Sequence, residues 1–162
     1  MDDGTTITRT EGGGYLLQFK RRLEREVERV WAAILDPEQR AVWFFGGRLD
    51  PVVGGVVQLQ DSGHGITGEV VEIEPPRLLE LTWRSIDSPI GVVRFELHED
   101  GPTTVLRFSH IVDATAHAEN LLPGWHCIFD DLPLFLAGQA VDEVPGRFAA
   151  LKAAYVARLD QG

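Results

Sequence analysis

Two neighbouring stretches of the chain, residues 91–100 and 103–110, alternate apolar and polar residues with a period of two. That period is typical of β-strands with one buried face, and Asp100-Gly101 between them predicts a tight turn. The apolar positions that share one face are Val93, Phe95, Leu97, Leu106 and Phe108. By the same parity His110 lies on this face. A sheet with one apolar face needs a covering element, so the next question is what covers it.

Weaker patterns predict five further strands, at about residues 15–23, 48–51, 56–61, 66–74 and 78–85. The total is therefore seven, in an antiparallel arrangement, because neighbouring strands of a meander pair with each other. Helical spacing over residues 27–35 predicts a helix, which Asp36-Pro37 ends while starting a second one. The second helix is expected to stop at Gly46-Gly47. The first dozen residues, which lead into Gly12-Gly13-Gly14, are expected to form a loose arm outside the sheet.

Residues 117–137 supply the cover for the apolar face. Their apolar positions follow a 4-3-4-3 spacing, which predicts an amphipathic helix, at Leu121, Trp125, Ile128, Leu132 and Phe135. Pro123 could open a second helical segment, and Pro133 predicts a kink near Phe129. A last helix, at about residues 145–159, is expected to pack outside this layer. The resulting fold class is α+β, with helices on one face of an antiparallel sheet.

Composition narrows the classes of function. The 162 residues suit one domain, and a net charge of -10 argues against binding to nucleic acid or to an anionic membrane surface. Cys127 is the single cysteine, which excludes an intramolecular disulfide and a cysteine-based zinc site. The acidic, polar N-terminal segment does not look like a signal peptide, and we found no long apolar stretch. We therefore expect a cytoplasmic protein.

The chain resembles the superfamily of START-like (SRPBCC) ligand-binding domains, and within it the branch similar to the activator of the heat-shock-protein-90 ATPase (AHSA-type). The resemblance rests on VWAAILDPE from Val30, residues 40–43, GEVVEIEPPRL from Gly68, residues 81–83, TVLRFSH from Thr104, and Gly124-Trp125. It covers about residues 14–138. The chain departs from the pattern at Pro133 and in its extra last helix.

The resemblance implies a helix-grip (START/Bet v-like) fold, in which a seven-stranded antiparallel sheet wraps around a long C-terminal helix. We expect one domain over residues 1–162, with a core at about 14–138 and a C-terminal helical extension at 139–162. The superfamily hosts lipid carriers, polyketide cyclases and chaperone activators, so the fold alone does not decide the function. A hydrophobic small molecule is the expected partner; a chaperone, another protein or a second copy in a homodimer are the alternatives.

The candidate ligand site is the layer between the sheet and the covering helix. The residues expected to line it, with Phe44 beside them, are Trp43, Phe45, Trp83, Phe95, Phe108, His110, Trp125 and Phe129. These rings could equally fill a solid core. His110 could be a core histidine that bonds to the covering helix, or an acid/base group of a cyclase- or hydrolase-like enzyme. The lack of a recognisable triad in the sequence favours the structural role, and with it a binding protein over an enzyme.

The remaining polar candidates point to no cofactor or metal. Histidine occurs at positions 64, 98, 110, 117 and 126, with no pair at the helical spacing of a metal site. Gly12-Gly13-Gly14 precedes a strand, so it does not fit a phosphate-binding loop. We expect His64 on an exposed hairpin tip, His126 facing solvent, and Asp130 and Asp131 on a solvated helix face.

Overall fold

A computed structural model describes residues 4–61 and 64–161, with the side chains of Asp61 and His64 outside the described part. The elements are, in order, β1 Thr5–Arg9, β2 Tyr15–Leu23, α1 Val27–Leu35, α2 Pro37–Trp43, β3 Gly46–Leu49, β4 Val56–Asp61, β5 His64–Glu74, β6 Leu78–Thr82, β7 Gly91–Asp100, β8 Thr103–Val112, α3 Ala118–Leu136 and α4 Arg147–Gln161. The predicted hairpin turn at residues 62–63, and the predicted exposure of His64, fall outside the described residues.

The strands form one eight-stranded antiparallel sheet in the order β1-β2-β8-β7-β6-β5-β4-β3. The helix-grip class is confirmed, but the predicted count of seven strands is wrong. The extra strand is β1, in the segment expected to be a loose arm, and it pairs with β2 from Thr5↔Phe19 to Arg9↔Tyr15. A short polar strand at a sheet edge has no alternating apolar face, so periodicity does not reveal it.

The predicted parity of the central hairpin is confirmed. Strand β7 pairs with β8 in a continuous register that places Phe95 opposite Phe108. All five predicted apolar residues of this face are at most 2% exposed, as is His110 on the same face. Helix α3 covers them: the Trp125 ring centroid lies 4.3 Å from that of Phe108.

Helix α3 runs without interruption from Ala118 to Leu136, with both Pro123 and Pro133 inside it. The alternative of a separate segment that begins at Pro123 is therefore wrong. Pro133 is exposed, and its ring leaves the Phe129 carbonyl without a helical donor. The kink predicted at this position remains a prediction.

Arg40 connects helices α1 and α2 to strand β3. Its side chain is fully buried and donates to the main-chain oxygens of Ile34, Leu35, Phe45 and Gly47 at 2.7–3.2 Å. A guanidinium group offers five N–H donors in a fixed plane, which suits several carbonyls at once. This contact holds Phe44 and Phe45 at the edge of the core.

Helix α4 packs on α3 and reaches the edge strand β1. Tyr155 is 2% exposed, and its hydroxyl lies 2.7 Å from His126 Nδ1 and donates to Thr5 Oγ1 at 3.3 Å. Arg158 Nη2 donates to the main-chain oxygen of Thr5 at 3.1 Å. The last helix therefore lies outside the aromatic layer, as predicted, and it contacts β1 as well as α3.

Candidate functional site

The rings expected to line a ligand site form one connected aromatic layer between the sheet and α3. Phe44 contacts three indoles of this layer, with its ring centroid 5.3 Å from that of Trp43, 6.0 Å from Trp83 and 5.6 Å from Trp125. Its ring is nearly parallel to that of Trp83, at 9°. The structure thus brings together every predicted layer residue, here called the aromatic layer: Trp43, Phe44, Phe45, Trp83, Phe95, Phe108, His110, Trp125 and Phe129.

The interior of the aromatic layer is closely packed. Phe108 has ring neighbours at 4.3 Å (Trp125), 4.8 Å (Phe129) and 5.0 Å (Phe95). Only Phe44 and Phe45, on the connection between α2 and β3, are partly exposed. They mark the edge at which the layer meets solvent.

Two open grooves lie elsewhere, on the outer face of the sheet. One groove of about 400 Å³ is lined by the polar residues Thr6, Gln18, Lys20, Glu96 and Arg107, and also by Phe19 and Phe108. Period-two alternation explains the polar lining, because the polar residues have the parity opposite to the apolar face. Their side chains therefore point away from the aromatic layer.

His110 is bonded at both ring nitrogens inside the aromatic layer. Trp125 Nε1 donates to His110 Nδ1 at 3.1 Å, and Ser88 Oγ lies 3.3 Å from His110 Nε2. An indole nitrogen can only donate, so Nδ1 must be the acceptor and the proton of the neutral ring must be on Nε2. Nε2–H then donates to Ser88, whose own hydroxyl lies 3.4 Å from the main-chain oxygen of Ile90.

This tautomer decides what His110 can do chemically. Burial lowers the pKa of His110 to about 3, so the ring is neutral near pH 7. A neutral ring that donates from Nε2 cannot take a proton from Ser88, which a serine nucleophile would require. The pair therefore lacks the arrangement of a Ser-His dyad, and His110 acts here as a link between β8, α3 and the β6–β7 connection.

Ser88 is a member of the site that sequence reasoning missed. It lies in the irregular connection between β6 and β7, where no periodicity operates. The available signal is Gly91, at which a Cβ atom would come within 2.7 Å of both Ser88 Oγ and His110 Nε2. The same connection is tied to the start of α3, since Asp87 accepts from the His117 main-chain N–H at 2.8 Å and from Asn120 Nδ2 at 3.1 Å.

Trp83 carries an unusual polar atom. Its side chain is 3% exposed, and within the part of the chain that the structure describes, its Nε1 is the one buried side-chain nitrogen or oxygen without a hydrogen-bond partner. The other two buried indoles differ: Trp43 Nε1 donates to the Ala33 oxygen at 3.0 Å, and Trp125 donates to His110. A buried N–H group without a partner normally calls for an explanation.

The polar residues of α3 form contacts that the sequence did not indicate. His126 was expected to face solvent, but its ring lies against Tyr155 of α4 and its Nε2 is 3.3 Å from Asp130. Asp131, expected on a solvated face, forms an ion pair with Arg147 at 2.8 Å. These groups join α3 to α4. They lie on a different side of α3 from Trp125, which faces the aromatic layer.

The described residues offer neither a metal site nor a membrane-spanning helix. No group of three or more His, Cys, Asp or Glu side chains is placed so that it could hold a metal ion. None of the helices in the described part has both the length and the apolar character for crossing a bilayer.

Comparison with solved structures gives the same fold over most of the chain. CalU16 from Micromonospora echinospora is 24% identical and covers 98% of this chain and 96% of its own, with a TM-score of 0.74. EF2215 from Enterococcus faecalis is 18% identical with a TM-score of 0.80, covering 99% of this chain and 92% of its own. The protein encoded by BPP1335 from Bordetella parapertussis is 28% identical with a TM-score of 0.72, covering 91% and 87%.

A search of curated proteins found no match. A family model does match, over residues 24–136, which is well over half of the chain. The matched segment runs from the start of α1 to the end of α3 and so includes the whole aromatic layer. The protein belongs to the family described as Activator of Hsp90 ATPase homolog 1-like protein, the AHSA-type branch of the START-like (SRPBCC) domains.

Proposed function

We propose that this protein binds a small apolar or amphipathic molecule in the aromatic layer, between the sheet and α3. The observation that carries the proposal is the edge formed by the partly exposed Phe44 and Phe45, where the Phe44 ring stacks on the buried Trp83 and the Phe45 ring is tilted against it. Ligand sites typically combine an apolar lining with a few polar groups, and they lie between structural elements. The family assignment supports a domain that binds a ligand.

The packed interior sets a condition on binding. Because ring neighbours already fill the layer around Phe108, a ligand must displace side chains to enter. Phe44 is the natural candidate, since its ring packs against both Trp83 and Trp125 and is partly open to solvent. Rotation of this one side chain would free the space that the two indoles share, while Arg40 keeps the main chain of Phe45 in place.

The burial of apolar surface sets the scale of the expected affinity. Burial of apolar surface contributes about 25 cal/mol per Å², so a two-ring molecule that loses about 200 Å² gains about 5 kcal/mol before the costs of ordering and ring displacement. Affinity in the micromolar range then requires at least one further favourable contact. Binding alone, without catalysis, is consistent with the neutral, fully bonded state of His110.

Two measurements test the proposal. Native mass spectrometry of protein purified from its own host should show a co-purifying small molecule. A titration with N-phenyl-1-naphthylamine, an uncharged dye that brightens in apolar surroundings, should saturate. Phe44→Ala should change the dye affinity severalfold, whereas Val42→Ala, at a 51% exposed position of the preceding helix α2, should leave it unchanged.

Absence of both a bound molecule and a saturating dye signal would overturn the proposal. A saturating dye signal with the same affinity in both variants would place the dye elsewhere on the protein. It would equally contradict the assignment of the site.

Interaction with a chaperone is the second candidate, and the family description is the observation that favours it. Its physical basis would be the net charge of -10, which suits a basic patch on a partner. The test is to add the protein to purified Hsp90 from the same host and to measure the ATPase rate at low and at high salt. A salt-sensitive increase in the rate would support this role; an unchanged rate would exclude ATPase activation.

A further inference from the structure

Trp83 buries a hydrogen-bond donor without a partner in the middle of the aromatic layer. Its ring contacts Phe44, Phe45, His110 and Trp125, and the side chain is 3% exposed. An N–H group in such surroundings loses its hydration and gains nothing in return. A phenylalanine would provide a ring there at no such cost, so the indole nitrogen requires a reason.

Among the residues that the structure describes, the other buried polar side-chain atoms have hydrogen-bond partners. Trp43 Nε1 has the Ala33 oxygen, both nitrogens of His110 are bonded, and Arg40 donates to four main-chain oxygens. Trp83 Nε1 is thus the free specific contact that the aromatic layer offers to a molecule that enters it.

We propose that Trp83 Nε1 donates a hydrogen bond to a neutral oxygen acceptor, such as a ketone, on the ring system that binds in the aromatic layer. This inference rests on the proposed function and names the class of ligand: uncharged, aromatic or fused-ring, with one carbonyl, ether or hydroxyl oxygen. Indole nitrogens donate only, so a ligand group that can only donate would gain nothing there.

The charge of the ligand follows from the same surroundings. An anion buried in the layer would need a cation beside it, and Arg40 already donates to four main-chain carbonyls. His110 remains uncharged near pH 7 because burial lowers its pKa to about 3. Burial of an unpaired charge is far more costly than burial of a ketone with one good hydrogen bond.

A matched pair of small ligands tests this directly. Tetralin and 1-tetralone have the same two-ring frame and differ in one carbonyl group. Their dissociation constants should be measured by calorimetry for the wild-type protein, for Trp83→Phe and for the control Trp31→Phe, which changes a partly buried tryptophan of α1 outside the aromatic layer. 1,2,3,4-Tetrahydro-1-naphthoate, a carboxylate at neutral pH, should bind most weakly of the three compounds.

The wild-type protein should prefer 1-tetralone, and Trp83→Phe should shift the ratio of the two affinities towards tetralin by about 3- to 10-fold, the range expected for one net hydrogen bond. Trp31→Phe should keep the wild-type ratio. In a ¹H–¹⁵N spectrum of the wild-type protein, the Trp83 indole signal should move downfield with 1-tetralone and much less with tetralin. This second readout does not depend on the folding of any variant.

The outcomes separate the two proposals. If both compounds bind and the affinity ratio is the same in wild type and Trp83→Phe, or if the Trp83 indole signal responds equally to both, the inference is overturned and the proposed function stands. If neither compound binds, the proposed function fails, and the inference fails with it. Preference for the carboxylate would contradict the neutral ligand class.

Discussion

Trp125 on α3 donates its indole N–H to Nδ1 of His110 on β8, across a distance of 3.1 Å. This bond connects the covering helix to the sheet inside the core, and it assigns the ring proton to the opposite nitrogen. The sequence showed that both residues face the same layer, but only the structure shows that the bond exists and that Ser88 is the partner on the other side.

The first prediction concerns the proton of His110. With its pKa lowered to about 3 by burial, the ring should stay neutral from pH 8 down to about pH 4. The unfolded chain, with an ordinary histidine pKa of about 6.5, takes up a proton first. Stability from this group is therefore complete above pH 6.5 and falls by about 1.4 kcal/mol per pH unit as the pH drops towards 3.

Urea unfolding at several pH values measures this dependence of stability on pH. In His110→Asn, the number of protons taken up on unfolding between pH 6 and pH 4 should be lower by one. The NMR resonances of the His110 ring should not titrate over the same interval in the folded protein. A midpoint near pH 6.5 for these resonances would show that the ring is not isolated from water.

The second prediction concerns the tautomer. Trp125→Phe removes the donor and leaves Nδ1 of a buried ring without a partner, which should destabilise the protein by about 1–3 kcal/mol. The ¹⁵N shifts of the wild-type ring should report a proton on Nε2, and the variant should lose this preference. A wild-type ring with its proton on Nδ1 would refute the assignment of donor and acceptor.

The third prediction separates a solid layer from one that can open. Phe108→Trp adds bulk where three rings lie within 5.0 Å, so it should cost about 1–3 kcal/mol in the ligand-free protein and should block tetralin. Phe45→Trp, at the partly exposed edge, is the control and should cost little. If Phe108→Trp is destabilised and the wild-type protein does not bind tetralin, the result contradicts the ligand-binding role and favours the chaperone role.

The fourth prediction concerns Arg40. Arg40→Lys keeps the charge but loses the planar set of donors that reaches four carbonyls, so the variant should lose at least about 3 kcal/mol of stability. Arg29→Lys is the control, because Arg29 is only partly buried and bonds to Gln39 at 2.7 Å. Equal midpoints of denaturation for the two variants would contradict the role given to Arg40.

The fifth prediction concerns Pro133. Pro133→Ala restores an N–H that can donate to the Phe129 oxygen and removes the clash of the proline ring, so α3 should straighten and the ligand-free protein should gain about 1 kcal/mol. Thermal unfolding and a crystal structure of the variant are the measurements. An unchanged helix axis with lower stability would mean that the proline acts through the unfolded chain instead.

Sequence patterns predict much of this fold because the buried layer is built from residues that follow the strand period and the helical spacing. The parity of Phe95 and Phe108 and the helical spacing of Trp125 together predict which faces meet, and the structure confirms it. The family motifs then supply the order of the elements. What these patterns predict is the set of rings in the layer.

The patterns fail where contacts depend on irregular backbone. Ser88 reaches His110 from a connection with no period, and β1 pairs with β2 although Ile7 is its single large apolar residue. The missing partner of Trp83 is equally invisible in a sequence, because a donor is known to be unpaired only when all its neighbours are in place. The chemistry of the site depends on these contacts more than on the rings.

The contact of Arg158 with Thr5 has a consequence for how the protein behaves at high concentration. Strand β1 is an edge strand, and an unprotected edge can pair with the edge of another molecule and start aggregation. The Gly4 oxygen accepts from Lys20 within the sheet, whereas the next oxygen, that of Thr5, is taken by the guanidinium group of Arg158. Helix α4 thus blocks this part of the edge strand from pairing with another molecule, which favours colloidal stability.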